Sequence, residues 1–222
     1  MRLLIISLLA VTAAFTDGYA QCNPFYNIKE GSIWELTSYN ANDKVTGKQV
    51  NELKKLNETS NGWVATIHFK SYNPKDKLQF EKEVELECED GVIKMDMQKF
   101  LPQESLDAME QMNVSLDIEH LEWPNQLKVG AELKDGAVRV NSDVMNMSIN
   151  ITDRKVESKE KITTPAGTFD AFKVTYNTKF NMMMTRESKG VDYIAEGVGI
   201  VRSENYNGAG KLTDYVVLTM FK

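Results

Sequence analysis

The residues from Leu78 to Glu89 alternate between apolar and acidic side chains, and this pattern limits the fold more than any other feature of the chain. The even positions are mostly apolar, and the odd positions from Glu81 to Glu89 are all glutamate. A period of two residues is that of a β-strand, whose successive side chains point to opposite faces. The pattern predicts a strand with an apolar face toward a core and an acidic face toward solvent. Lys82 is its one exception.

Two further segments, 63–70 and 145–152, alternate in the same way. Short groups of Asn, Asp, Gly and Pro, typical of hairpin turns, separate the strand-like segments: 40–43, 61–62, 73–76, 90–91, 135–136, 164–167 and 207–210. Most strands are therefore expected to pair with their sequence neighbours. We predict an all-β fold, an antiparallel meander that curls into a β-roll or half-open barrel because so large a sheet must protect its edges.

Residues 102–112 break the strand pattern and predict one short helix. Pro102 suits the first position of a helix, where its missing N–H costs nothing. Leu106, Met109 and Met112 follow at three-residue spacing and would share one helix face. We expect this helix to cover one end of the curled sheet.

The first twenty residues have the layout of a secretory signal peptide. Arg2 is followed by an apolar run over 3–14, and small residues at Gly18 and Ala20 fit the positions that a leader peptidase recognises. The run is shorter than the roughly 20 apolar residues that span a bilayer. We predict cleavage after Ala20, export, and a mature single domain over 21–222 that does not span a membrane.

The formal net charge is −6, and loss of the leader, with one base and one acid, leaves it unchanged. Binding to nucleic acid requires a basic patch that neutralises phosphates, and none is visible in the sequence. We therefore exclude nucleic acid as a partner.

Cys22 and Cys88 are the only cysteines, and an exported protein meets an oxidising compartment. Their pairing in a disulfide would attach the new N-terminus to the body of the fold. Lipidation of Cys22 is the alternative. Gln21 fits poorly at the position before a lipidated cysteine, so a lipoprotein is not predicted.

No catalytic, metal or cofactor site is predicted. His68 lies on the polar phase of its strand, and His120 has no ligand spacing that resembles a zinc site. No serine sits in a G-x-S-x-G elbow, and Gly197-Val198-Gly199 leads into a strand rather than a phosphate-binding helix. The glutamate stripe of 81–89 fits a solvated face better than a calcium loop, which folds around its ion. The protein is therefore predicted not to be an enzyme.

Methionine is the more suggestive excess, because three pairs occur at i, i+2 spacing on probable strands. Flexible thioether side chains suit surfaces that accept varied apolar ligands, although they also fill irregular cores and bind Cu(I). All three interpretations stay open. The candidate residues of a ligand pocket are Met95, Met97, Met145, Met147, Ile149, Met182 and Met184.

Four segments resemble a known family: Cys22–Tyr26, Lys29–Glu35, Thr163–Phe169 and Glu196–Glu204. They are similar to signatures of the DUF3108-like proteins, exported proteins of unknown function from Gram-negative bacteria. The resemblance implies an antiparallel β-roll or half-open barrel behind a signal peptide, and it implies no reaction. The glycines of these signatures suit tight turns or a bulge within a sheet.

Together these features predict a non-enzymatic binding protein of the cell envelope, periplasmic or extracellular, that holds an apolar or lipid-like ligand in its interior. The alternative is an envelope interaction module with a solid core that docks a protein or a glycan through its loops and edges.

Overall fold

The computed structural model describes residues 22–26, 29–95, 115–141, 146–181 and 184–222, and within these ranges it contains strands and turns but no helix. The helix predicted over 102–112 lies outside the described residues. The strands are β1 Ile33–Asn40, β2 Val45–Glu58, β3 Gly62–Tyr72, β4 Leu78–Glu89, β5 Val92–Met95, β6 Ser115–Glu119, β7 Leu121–Trp123, β8 Gly136–Asn141, β9 Asn146–Thr164, β10 Gly167–Asn181, β11 Thr185–Ala195, β12 Gly199–Asn207 and β13 Leu212–Phe221.

All thirteen strands belong to one antiparallel sheet with the order β6-β8-β9-β10-β11-β12-β13-β1-β2-β3-β4-β5-β7. Its two edges, β6 and β7, are consecutive in the chain and are joined by the single residue His120. The sheet must therefore curl until its edges meet, and it forms a nearly closed barrel with one unsealed seam. The predicted all-β, barrel-like fold is confirmed.

Most strands pair with their sequence neighbours, as predicted, through short turns. Asp90 and Gly91 form a two-residue turn with positive φ at both positions, as the Asp-Gly pair favours. The turn predicted at 135–136 is wrong. Gly136 begins β8, whose neighbours are β6 and β9, because β5 to β8 interleave where the sheet closes.

The larger core lies inside the barrel and follows the alternation of the sequence. Trp63, Ala65 and Ile67 on β3 are buried, as are Val84 and Cys88 on β4. The acidic positions of β4 are exposed. The predicted inward and outward faces of these two strands are confirmed.

A second apolar cluster covers the opposite face of part of the sheet. On β11, Ile194 belongs to the larger core, whereas Val191, Tyr193 and Ala195 belong to the second cluster. Ala171 on β10 joins them. Both faces of these central strands are thus packed, which accounts for their nearly continuous burial.

The N-terminal strap, residues 22–26, crosses one end of the barrel. Cys22 forms a disulfide with Cys88 on β4, as predicted. The Asn23 side chain, which is fully buried, donates to the carbonyl oxygens of Gly91 and Trp123, each at 3.0 Å. One amide group therefore links the β4–β5 turn to the edge strand β7.

The strap ends against the β11–β12 turn on the far side of the barrel. The Gly197 N–H donates to the Pro24 carbonyl at 2.7 Å. Gly199 has φ +84°, and a Cβ there would lie 2.7 Å from the Tyr26 ring. Only glycine fits both the positive φ and the close ring. The first and the last resembling segments of the sequence thus meet in space.

Removal of the disulfide is expected to loosen this closure. The bridge joins residues 66 positions apart, and a loop of that size corresponds to about 4 kcal/mol of restricted unfolded-chain entropy. The variant Cys22→Ala with Cys88→Ala should lower the free energy of unfolding by about 3 to 4 kcal/mol in urea denaturation. Reductant should destabilise the wild type and leave the double variant unchanged. Equal midpoints for the oxidised wild type and the variant would contradict this account.

Candidate ligand-binding site

A bulge in β9 turns a charged side chain into the barrel. Lys155 pairs with Thr175 and Thr152 pairs with Asn177, so Asp153 and Arg154 together oppose one residue of β10. Asp153 adopts φ +55°, and its carboxylate accepts a hydrogen bond of 2.8 Å from the Asn177 amide. Bulges of this kind re-aim side chains, and here the bulge directs Arg154 inward.

The Arg154 guanidinium is held on one side and lacks a partner on the other. The residue is 2% exposed, and its guanidinium carbon lies 4.5 Å from the centre of the Trp123 ring. Nη1 donates to the carbonyl oxygens of Glu122, at 3.1 Å, and of Lys134. Nη2 is buried and has no hydrogen-bond partner. Burial lowers the pKa of Arg154. A buried donor without an acceptor is costly, and it points to an oxygen supplied from elsewhere.

Asp192 on β11 is the second buried charged group of the interior. Its Oδ1 accepts hydrogen bonds from the Ser203 hydroxyl and, at 3.4 Å, from the Tyr176 hydroxyl. Burial raises the pKa of Asp192 to about 6, and the hydrogen bond from Ser203 and the charge of Arg154 oppose this effect. Burial therefore keeps the pKa of this carboxyl group well above that of an ordinary aspartate.

Two tyrosines surround Asp192. Tyr176 is the cross-strand partner of Gly190, and a Cβ at Gly190 would overlap the Tyr176 ring, so the glycine makes room for it. Burial, and secondarily the charge of Asp192, raises the pKa of Tyr26 to about 12. The N-terminal strap thus contributes one ring to the polar cluster, which consists of Tyr26, Arg154, Tyr176, Asp192 and Ser203.

An apolar strip begins beside this cluster on the same inner face. Val174 on β10 belongs to the core, so Phe180, an even number of residues further along the strand, shares its face. Ile149 on β9 pairs with Phe180 and faces inward as well. From the start of β9 toward the middle of the barrel, its inner positions are Met147, Ile149, Ile151 and Arg154.

The strip continues across the neighbouring strands. Met147 and Ile149 have valines as cross-strand partners on β8, and these valines pair in turn with β6. The added members are Val138, Val140, Leu116 and Ile118. Apart from Val140, the strip residues are half-buried and belong to neither apolar cluster. The apolar strip, defined as these four residues with Met147, Ile149, Ile151 and Phe180, thus ends at a buried guanidinium.

A cleft of about 510 Å³ opens beside Arg154, where the chain segment before β8 runs along the bulged part of β9. Its lining residues are Glu132, Leu133, Asp135, Asp153, Arg154 and Lys155. A second cleft of about 340 Å³ is lined by residues of β9, β10 and β11, Asp153 among them. Asp153 in the bulge thus lines both clefts.

The predicted pocket residues have different positions. Met147 and Ile149 lie in the apolar strip, and Met184, directly before β11, is 68% exposed. Met95 ends β5, where it pairs with Leu121. Met97, Met145 and Met182 lie outside the described residues. Met147 and Ile149 are thus the two candidates that share the inner face of β9. The ligand pocket itself stays a prediction.

The polar cluster was not predicted from the sequence. A lone arginine in a strand resembles a surface residue, and the bulge that turns Arg154 inward has no clear sequence signal. Asp192 had one, because it lies within the otherwise apolar run Val191–Ala195 of a strand. An acidic residue in an apolar strand is expected to be buried, and a buried carboxyl group needs hydrogen-bond partners.

The fold and this interior define a class: all-β proteins built from one curled antiparallel sheet that encloses a polar cluster. Residues 29–218 match the model of the DUF3108-like family, and the chain belongs to that family. No curated protein matches the chain. Within the described residues, no helix has the length and apolar character needed to cross a membrane.

Two solved structures are similar over nearly the whole chain. A Bacteroides fragilis protein described as a "putative exported protein with YmcC-like fold" is 25% identical, with a TM-score of 0.72, over 90% of this chain and 100% of its own. A "putative lipoprotein" from Parabacteroides distasonis is 24% identical, with a TM-score of 0.73, over 90% of this chain and 99% of its own. Both likenesses agree with the fold, and the description of the Bacteroides fragilis protein agrees with export.

Asp192 is expected to make stability depend on pH. Its pKa of about 6 lies above the ordinary 3.8, so the folded state holds the proton more tightly than the unfolded state. The contribution of the protonated form is complete below about pH 4 and is lost as the pH rises through about 6. Between these limits the wild type should lose up to about 3 kcal/mol relative to Asp192→Asn.

Urea denaturation of both proteins at several pH values measures this difference. Asparagine keeps the oxygen that accepts from Ser203 and Tyr176, so only the titration is removed. Parallel stability curves for the two proteins would show that Asp192 does not titrate in this range.

Proposed function

We propose that this protein is an exported, non-enzymatic binding protein of the cell envelope that holds an amphipathic, lipid-like ligand inside the barrel. The observation that carries the proposal is the apolar strip that ends at Arg154, whose buried Nη2 has no partner. A tail along the strip and an oxygen acceptor at the guanidinium would satisfy both surfaces at once. Sites for small ligands combine apolar walls with a few placed polar groups in this way.

Charge in the interior defines the head group more closely. Nη2 can only donate, so the complementary group is a carboxylate or carbonyl oxygen rather than an amine. Trp123 and two backbone carbonyls hold the guanidinium in place before a ligand arrives. A donor that is already oriented loses little conformational freedom on binding.

Binding is favoured over catalysis because the groups of the polar cluster are engaged with one another. Ser203 and Tyr176 both donate to Asp192, so the two hydroxyl groups and the carboxyl group already hold one another inside the barrel. The arrangement suits a fixed polar interior.

The leader-like segment over 1–20 and the Cys22–Cys88 disulfide support export to an oxidising compartment. The disulfide also favours a Cys22 that is not lipidated, because its sulfur is already bonded. One similar structure is described as a lipoprotein, so mass spectrometry of the natively exported protein is the direct check on Cys22.

Binding of a fluorescent fatty acid to the mature protein tests the proposal. Ile149→Asp should lower its affinity at least about tenfold, because it places a charge in the apolar strip. Asn150→Asp is the matched control, since it adds the same charge on the opposite face of the same strand. The control should bind like the wild type, and near-ultraviolet circular dichroism should show all proteins folded.

The head group has a test of its own. A fatty acid should displace the probe about tenfold better than an alkylamine of equal length, because a hydrogen bond to a charged group contributes about 1.5 to 3 kcal/mol. Arg154→Met should abolish this preference and retain the fold. No binding by the wild type, or equal loss in Ile149→Asp and Asn150→Asp, would rule out a ligand in the strip.

A further inference from the structure

Three hairpin tips of the barrel share one sequence pattern, Tyr-Asn-x-x-(Asp/Gly)-Lys-(Val/Leu). They span residues 39–45, 72–78 and 206–212, and connect β1 to β2, β3 to β4 and β12 to β13. Their spacing along the chain is irregular, so they do not form a sequence repeat of fixed period. We call these segments the tip hairpins.

The tip hairpins also share one structure. In each, the asparagine side-chain oxygen accepts hydrogen bonds from the backbone N–H groups two and four residues later. The residue before the lysine has positive φ, as Asp43, Asp76 and Gly210 show. The strand ladder shifts register at the tyrosine of every tip. Three separate parts of the chain thus build the same lysine-bearing tip.

All three tips lie at the end of the barrel opposite the N-terminal strap. Strand pairing places them there together, and contacts between neighbours link them. The Ala41 N–H donates to the Thr213 carbonyl at 3.0 Å, and Tyr215 donates to the Asp43 carboxylate at 2.8 Å. We call this the tip end.

The tip end presents lysines while its acids are engaged within the protein. Asp76 pairs with Lys48 at 2.7 Å, Asp43 accepts from a tyrosine, and the third tip has glycine at that position. No ion pair forms at Lys44, Lys77 or Lys211 with any residue that the structure describes. The tip hairpins together contain four lysines and two aspartates, so this end is more basic than the chain as a whole, whose net charge is −6.

Apolar side chains stand next to these lysines. Val45 and Leu78 directly follow the tip lysines and are 38% and 42% exposed, and Phe80 and Met184 are exposed at the same end. Of the five large apolar side chains exposed in the described residues, only Val129 lies elsewhere. Exposed apolar groups beside lysines match a membrane interface, where the apolar group enters and the ammonium stays among head groups.

We propose that the tip end docks on an anionic phospholipid surface. The three lysines would contact lipid phosphates, while Val45 and Leu78 would enter the boundary of the acyl chains. The charge complementarity selects an anionic membrane over a neutral one. This docking goes beyond ligand binding, and it would place the Met147 end of the apolar strip toward the lipid.

Flotation of the mature protein with vesicles tests the docking. We expect binding to vesicles that mix phosphatidylglycerol with phosphatidylcholine, little binding to phosphatidylcholine alone, and loss of binding at high salt. The triple variant Lys44→Gln, Lys77→Gln, Lys211→Gln should bind at least about tenfold more weakly.

The matched control is Lys55→Gln, Lys128→Gln, Lys161→Gln, which changes the net charge equally at exposed positions away from the tip end. It should bind vesicles like the wild type. Equal loss in both triple variants, or no vesicle binding by the wild type, would overturn the docking. Binding of a protein or a glycan by the tip end, in place of vesicles, would overturn it as well. Fatty-acid binding by the tip variant should be unchanged. The vesicle experiment therefore tests the docking independently of the proposed ligand site.

Discussion

The fold depends on one covalent constraint: the two edges of the sheet are adjacent in the chain and joined by His120 alone. A thirteen-stranded sheet with free edges could twist open and offer both edges to other chains. Because β6 leads straight into β7, the sheet must curl, and curling creates an inside. The packed core, the buried charges and the apolar strip all occupy the space that this closure makes.

The interior is polar where its regular ladder is interrupted. The inner positions of β9 before the bulge are Met147, Ile149 and Ile151, and the bulge at Asp153 then changes the phase and brings Arg154 inward. Asp192 faces the same interior two strands away, and each charge lowers the cost of burying the other. Such a pair needs every hydrogen bond that it can make. One of these hydrogen bonds is missing, because the buried Nη2 of Arg154 has no acceptor.

The parts of the fold that could be predicted from the sequence are those that follow from the two-residue period of apolar and polar side chains. Alternation in β3 and β4 identified strands and faces correctly, because a half-buried strand has a period of two whatever surrounds it. The disulfide followed from there being two cysteines. The exchange of neighbours near β6 and β7 and the inward turn of Arg154 could not be predicted, since each depends on register between strands distant in sequence. The alternation of 145–152 placed Met147 and Ile149 on one face, as in the structure. The tip hairpins were interpreted only as separate turns, because the three copies of their shared pattern are irregularly spaced along the chain.

The N-terminal strap has a consequence for when the barrel can be finished. Its partners include Cys88, Trp123 and Gly197, so residues 22–26 can pack fully only after nearly the whole chain has been synthesised. The disulfide that secures them forms in an oxidising compartment. Under the proposed export, synthesis in the cytoplasm would leave one end of the barrel unsecured. Translocation would then precede the last step of folding.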